Sequence, residues 1–195
     1  MSRYRTRSWR AFEAPAGPRP VGTAQVRILG LDPGSRRTGF GLIDTAGGTM
    51  RLIAHGCLDV SRAEPAQRLR LIFEGLQRLL GEHGPAEVAI ERVFVSRNPD
   101  SALKLGQARG AALCALPAGL PVFEYAPRAI KLALVGSGAA EKPQVAHMVS
   151  VLLALQDRPG ADAADALAVA ICHAHARVLR VLTGAALLPR AREAG

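Results

Sequence analysis

An apolar run, Ile28, Leu29, Gly30 and Leu31, ends on Asp32, and Pro33-Gly34 then turns the backbone. A short apolar segment closed by Pro and Gly is the pattern of a buried strand. Asp32 therefore stands where a rigid sheet meets solvent, a place that holds a carboxylate still. A glycine at 34 leaves room for a phosphate or a metal to approach the backbone. Asp-Pro-Gly is also ordinary turn chemistry, and taken alone Asp32 reads first as a turn cap. The later acids of the chain change that balance.

At 195 residues the chain has the length of one domain with a full core. The reading is a basic, disordered arm over residues 1–25, a folded domain over 26–182, and a basic, disordered tail over 183–195. Residues 1–25 hold five Arg and one Glu with no periodicity, and residues 177–195 hold four Arg and one Glu. That leaves 16 basic and 14 acidic residues in 26–176, so most of the +9 net charge lies at the ends. A high isoelectric point suggests a polyanionic partner, but this distribution makes charge weak evidence that the folded body binds one. No apolar stretch has the length of a membrane span, and no apolar core follows the N-terminal arginines as a secretory signal requires. A soluble, cytoplasmic protein is expected. Cys57, Cys114 and Cys172 are odd in number, far apart and without a CxxC pair, which suggests buried thiols in a reducing compartment. Cys172, His173 and His175 have no common zinc spacing.

Three strands are expected first, ending at Asp32, over Thr38–Thr45 and over Thr49–Val60, with short turns that imply an antiparallel meander. Asp44 and Asp59 read as strand-end or turn residues without chemistry. Helical spacing of Leu69, Ile72, Phe73, Leu76, Leu79 and Leu80 predicts a helix over 64–83. Val88, Ala89 and Ile90 form another buried strand that again ends on an acid, Glu91. Asn98 and Pro99 start a helix whose small residues (Gly106, Ala108, Gly110, Ala111, Ala112) would admit a close neighbour. A fifth strand over 120–125 and helices over 127–135, 141–155 and 161–181 complete an α/β sheet covered on both faces.

The last of these helices begins ADAADALAVA, with Asp162 and Asp165 on one face. Asp162 suits the positive end of a helix dipole; Asp165, in so apolar a helix, is harder to explain. If the strands of Asp32 and Glu91 are parallel neighbours, and this helix packs across their ends, four carboxylates share one pocket. Such a set cannot all ionise without a cation. A pair of hard divalent ions with oxygen ligands, fitting Mg²⁺, resolves the conflict and suits phosphoryl displacement. Mn²⁺ accepts the same ligands.

The segments ILGLDPGSRRTGFGLID, AIERVF, NPDSALKLGQARG, VFEYAPRAIK, GSGAAEKPQV and ADAADALAVA occur in this order. Together they resemble the RuvC family of Holliday junction resolvases over roughly Val26 to His175. The resemblance implies an RNase H-like fold, with a five-stranded mixed sheet flanked by helices. It implies a homodimer that makes paired symmetric nicks in four-way junction DNA, with RuvA- and RuvB-type branch-migration proteins as partners. By matching position, Asp32, Glu91, Asp162 and Asp165 are the catalytic, metal-binding acids, with two Mg²⁺ expected. Phe94 matches an aromatic that stacks on bases, and Lys131 and Lys142 match basic residues of DNA engagement or catalysis. Arg92, Arg97, Lys104 and Arg109, around Glu91 and on the next helix, are candidates for a phosphate-tracking rim, with solvated surface as their plain reading. The N-terminal arm is longer than the family pattern, and Pro143 follows Lys142 at a helix start that tolerates it.

Three rivals are weighed. A sugar-kinase or actin-like ATPase would need a second phosphate loop and an adenosine motif, and neither is found. A junction-binding protein without catalysis is disfavoured because all four acids are present. A YqgF-like nuclease shares the first strand, but ALKLGQARG and DAADALA favour RuvC.

Overall fold

A computed structural model describes residues 25–92 and 98–183. The expected arm and tail, and the candidate residues Phe94 and Arg97, lie outside the described residues. The described chain runs β1 (Val26–Pro33), β2 (Arg37–Ala46), β3 (Thr49–Asp59), α1 (Pro65–His83), β4 (Glu87–Glu91), α2 (Pro99–Cys114), β5 (Val122–Tyr125), α3 (Pro127–Val135), α4 (Lys142–Leu152) and α5 (Ala161–Thr183). The expected order of elements is met throughout.

The sheet order is β3-β2-β1-β4-β5. The first three strands form the antiparallel meander, whereas β1 pairs β4, and β4 pairs β5, in parallel. Alternation along a strand sends successive side chains to opposite faces. In β1, Leu29 and Leu31 enter one core with Ile72 and Leu76 of α1. Ile28 enters the other, with Leu167 and Ile171 of α5. In β4, Val88 and Ile90 take the α1 side and Ala89 the α5 side. By the same parity, Asp32 falls on the face of Ile28, and Glu87 and Glu91 on the face of Ala89. Both strands thus point their terminal acids at α5.

α5 is Ala-rich because it is pressed from both sides, with residues 163, 164 and 166–172 all buried. It lies so close to the sheet that glycines must face it. A Cβ on Gly30 would collide with the Ala166 carbonyl and Ala170, and one on Gly39 with the Asp162 carbonyl. A Cβ on Gly41 would come within 2.6 Å of the Leu167 side chain.

Helix ends follow local chemistry. Asn98 Oδ1 accepts from the Asp100 and Ser101 amides at 3.0 and 3.4 Å, and Gly84 closes α1 in the left-handed region at φ 53°. Pro143 lies in the first turn of α4, where the helix forms as expected.

Two expectations are corrected and one is refined. Only Cys172 is buried; Cys57 on the edge strand β3 and Cys114 in the last turn of α2 are exposed. Asp44 takes the strand-end place of the two expected for it, near the close of β2, but it is buried there and held by Arg27, Gln25 and Arg51. At Gly34 the direction a Cβ would take is filled by the Arg37 carbonyl, so this glycine serves the turn's own close approach. In α2 the small residues divide. Ala108 and Ala112 are buried, while Gly106 and Gly110 have nothing near them on the described chain.

Candidate active site

Asp32 ends β1 and Glu91 ends β4, neighbouring parallel strands in register from Ile28–Glu87 to Leu31–Ile90. The two carboxyls lie close enough for each to shift the other's titration. Burial, then the charges of Asp32 and Asp165, push Glu91 up to about 7. Burial first, then Asp165, raises Asp32 as well. Like charges in a partly dry site make one group keep its proton.

Asp162 and Asp165 come from the first turns of α5, each held from a different side. Lys142 Nζ, at the start of α4, lies 2.8 Å from Asp165 Oδ2. The Asp165 hydrogen bond raises the pKa of Lys142, so it stays ammonium. The Cys57 thiol donates to Asp162 Oδ2 at 3.6 Å, and Arg37 NH1 lies 3.7 Å from the same oxygen. Burial and then the Asp162 charge push Cys57 up to about 11, which keeps it a thiol. Glu91, Lys131, Lys142 and Asp165 rim one cleft over Ile130 and Val145.

No three His, Cys, Asp or Glu side chains among the described residues stand gathered as a metal cluster. The chemistry of the set still fits a hard divalent cation. All four groups offer carboxylate oxygens, burial and neighbouring acids raise both Asp32 and Glu91, and Asp32 feels both Asp162 and Asp165. A cation among them would offset that accumulated negative charge.

The other candidates are placed less uniformly. Arg92 Nε is 3.7 Å from Glu124 Oε2 and Arg109 NH2 is 2.5 Å from Glu124 Oε1, so both flank one acid on β5. Lys104 pairs with Asp100 one helical turn away, the plain reading of a solvated helix face. Cys172, His173 and His175 turn to different neighbours: Ala129, Glu87 with Tyr125, and Ala133. They make no zinc site.

Sequence reasoning did not single out Arg37 or Cys57, which contact Asp162, while Asp59 ends β3 as expected. Ser61 fixes Asp59 Oδ1 through its amide (3.0 Å) and hydroxyl (2.6 Å), and Asp59 Oδ2 holds Arg37 Nε at 3.2 Å. The available signal was the basic pair Arg36-Arg37 just beyond the Asp32 strand. Cys57 and Asp59 carried none, because their proximity depends on the β2–β3 register.

Residues 28–173 match the family model described as crossover junction endodeoxyribonuclease RuvC. The chain is 60% identical over 153 residues to a protein of that name from Halorhodospira halophila, covering 77% of this chain and 91% of that one. It is 55% identical over 156 residues to another from Chromohalobacter salexigens, covering 80% and 84%. A solved structure of T. thermophilus RuvC in complex with a Holliday junction substrate superposes with a TM-score of 0.73 at 36% identity, covering 83% of this chain and 98% of that one.

Proposed function

This chain belongs to the crossover junction endodeoxyribonuclease RuvC family and is an endonuclease that resolves Holliday junctions; we propose that it does so by metal-dependent hydrolysis at Asp32, Glu91, Asp162 and Asp165. The observation that carries this reading is that Asp32 and Glu91 end adjacent parallel strands on the face covered by α5, with Glu91 and Asp165 lining one cleft beside Lys131 and Lys142.

The four acids would hold divalent ions, Mg²⁺ by oxygen preference and Mn²⁺ as a substitute, with two per site in the family's manner. When bound, such ions lower the pKa of water and stabilise charge on the attacking and leaving oxygens of a phosphodiester. The protein's share is placement. The sheet fixes Asp32 and Glu91, and α5, seated on glycines, fixes Asp162 and Asp165 against them. Lys142, once released from Asp165, and Lys131 across the cleft offer ammonium groups to the phosphate, where charge develops during displacement. Arg92 and Arg109, held together by Glu124, would position the strand without reading sequence, as would Arg97 and Lys104. Phe94 would stack on a base beside the crossover.

Paired symmetric nicks call for two copies of the site. The working unit is therefore a homodimer on a four-way junction in the cytoplasm, following RuvA- and RuvB-type branch migration. No described helix is long and apolar enough to cross a membrane.

A labelled synthetic four-way junction and a matched linear duplex test the reading, with and without Mg²⁺, for wild type and Asp32→Asn. Paired nicks confined to the junction, dependent on Mg²⁺ and absent in Asp32→Asn while junction binding persists, are expected. Nicks of undiminished rate in Asp32→Asn, or in chelator, would sink the metal mechanism.

A further inference from the structure

Beneath the candidate site, the same strand and helix are joined a second time. Glu87, the first residue of β4, accepts from His173 Nε2 at 2.7 Å on one carboxylate oxygen and from Arg177 NH1 on the other. His173 is fully buried and Arg177 is 8% exposed. Tyr125, last residue of β5 and register partner of Glu91, donates its hydroxyl to His173 Nδ1 at 2.7 Å. Phe123 stacks on the imidazole with ring centroids 4.4 Å apart.

The network is consistent as a set. Burial holds His173 neutral against the pull of Glu87, so its single N–H serves Glu87 and its free nitrogen accepts from Tyr125. Burial raises Glu87, but the bonds from His173 and Arg177 outweigh it and keep the carboxylate ionised below its usual range.

The spacing gives this clasp a consequence at the other end. Glu87 and Glu91 are four strand residues apart, about 13 Å. Asp165 and His173 are eight helical residues apart, about 12 Å. β4 and α5 run antiparallel, so the clasp and the carboxylate cluster are two matched ends of one strand–helix pair. Between them the α5 backbone at Ala166 and Ala170 lies directly against Gly30, and the Leu167 side chain fills the space beside Gly41.

We propose that Glu87, His173 and Arg177 are positioning residues that set the register of α5 on β4, and thereby hold Asp162 and Asp165 in reach of the metal bound with Asp32 and Glu91. This rests on the reading that those four acids bind metal. Removing the Glu87 charge leaves the Arg177 guanidinium buried without its counter-charge, a costly state that is relieved when the helix lifts toward water. A packed helix moves as a body, so the displacement reaches its first turn.

The test is Mn²⁺ titration of the full chain by calorimetry, at a temperature where circular dichroism shows every variant folded. Glu87→Gln is expected to bind Mn²⁺ at least tenfold more weakly than wild type. Arg177→Met, which keeps the methylene packing, should do the same and decides the matter if Glu87→Gln does not fold. Asp44→Asn, which cuts a comparable pair between β1 and β2, should bind Mn²⁺ as wild type does. Wild-type affinity in Glu87→Gln and Arg177→Met overturns the clasp, as does an equal loss in Asp44→Asn, which would mean general loosening. A wild type that binds no Mn²⁺ overturns the metal reading, and the clasp with it.

Discussion

Asp44 is 4% exposed and accepts from Arg27 Nε at 2.8 Å, Arg27 NH2 at 3.0 Å and Gln25 Nε2 at 2.5 Å. Arg27 NH1 reaches on to the His83 carbonyl at 2.8 Å, so one guanidinium ties β1, β2 and the end of α1. The Arg27 hydrogen bond, ahead of the cost of burial, holds the Asp44 carboxyl below its ordinary value. A group depressed in the folded state contributes stability that is full above its unfolded value, near 4, and is lost as pH falls through the folded one. Asp44→Asn should therefore cost about 1.5–3 kcal/mol at pH 7, the range for hydrogen bonds to charged groups. The difference from wild type should shrink as acid titrates the wild-type carboxylate, and urea melts at pH 7 and near pH 3 check both parts. A constant difference across that range would mean that packing, and not charge, is what the substitution removes. The pair shows what residue-level reading misses. Asp44 follows an apolar run and precedes Gly47-Gly48, so it reads as a strand-end or turn residue without a partner, and only the β1–β2 register sets it beside Arg27.

At the scale of elements, the parity of β1 and β4 was legible because period-2 alternation is local. Ile28, Gly30 and Asp32 share a face, as do Glu87, Ala89 and Glu91, and two acids following two buried runs already implied a common pocket. Asp165 stood out for a related reason, as a charge in a helix too apolar to carry it idly, whereas Asp162 also suits the first turn of a helix. The Glu87–His173 contact was not, since 86 residues separate the pair and neither lies in a telling pattern. The glycines fall between these cases. They are plain in the sequence, but Gly30 and Gly39 answer to the backbone of α5, far along the chain. Gly30→Ala tests that seating: its methyl would meet the Ala166 carbonyl and Ala170, with backbone on one side and no flexible group to yield. A loss of about 1–3 kcal/mol is expected, the usual cost of overpacking, read as a lower urea midpoint at unchanged slope. Gly106→Ala in α2, where nothing on the described chain lies near, should be neutral or slightly stabilising through helix propensity, and makes the matched control.

For the whole molecule the question is how a candidate site made of acids would meet a polyanion. Residues 26–176 are nearly balanced, with 16 basic and 14 acidic side chains, and several of the basic ones are engaged with Asp44, Glu74, Asp100 or Glu124. Residues 1–24 carry five Arg against Glu13. Each phosphate neutralised by a protein cation releases counterions and steepens the fall of affinity with salt, by about 0.9 in log–log slope per contact on duplex DNA. If these arginines meet junction arms, a chain lacking residues 1–24 should bind a four-way junction more weakly at low salt and with a shallower slope. The acids, Lys131 and Lys142 lie outside that segment, so cleavage at saturating junction should hold. Titrations of labelled junction across about 50–200 mM salt, beside single-turnover cleavage, separate the two contributions. An unchanged slope would assign the phosphate contacts to the folded body, and Lys131, Lys142, Arg92 and Arg109 would have to supply them. A shallower slope with intact cleavage would divide the labour instead: the arm gathers the junction electrostatically, and the strand ends and α5 cut it.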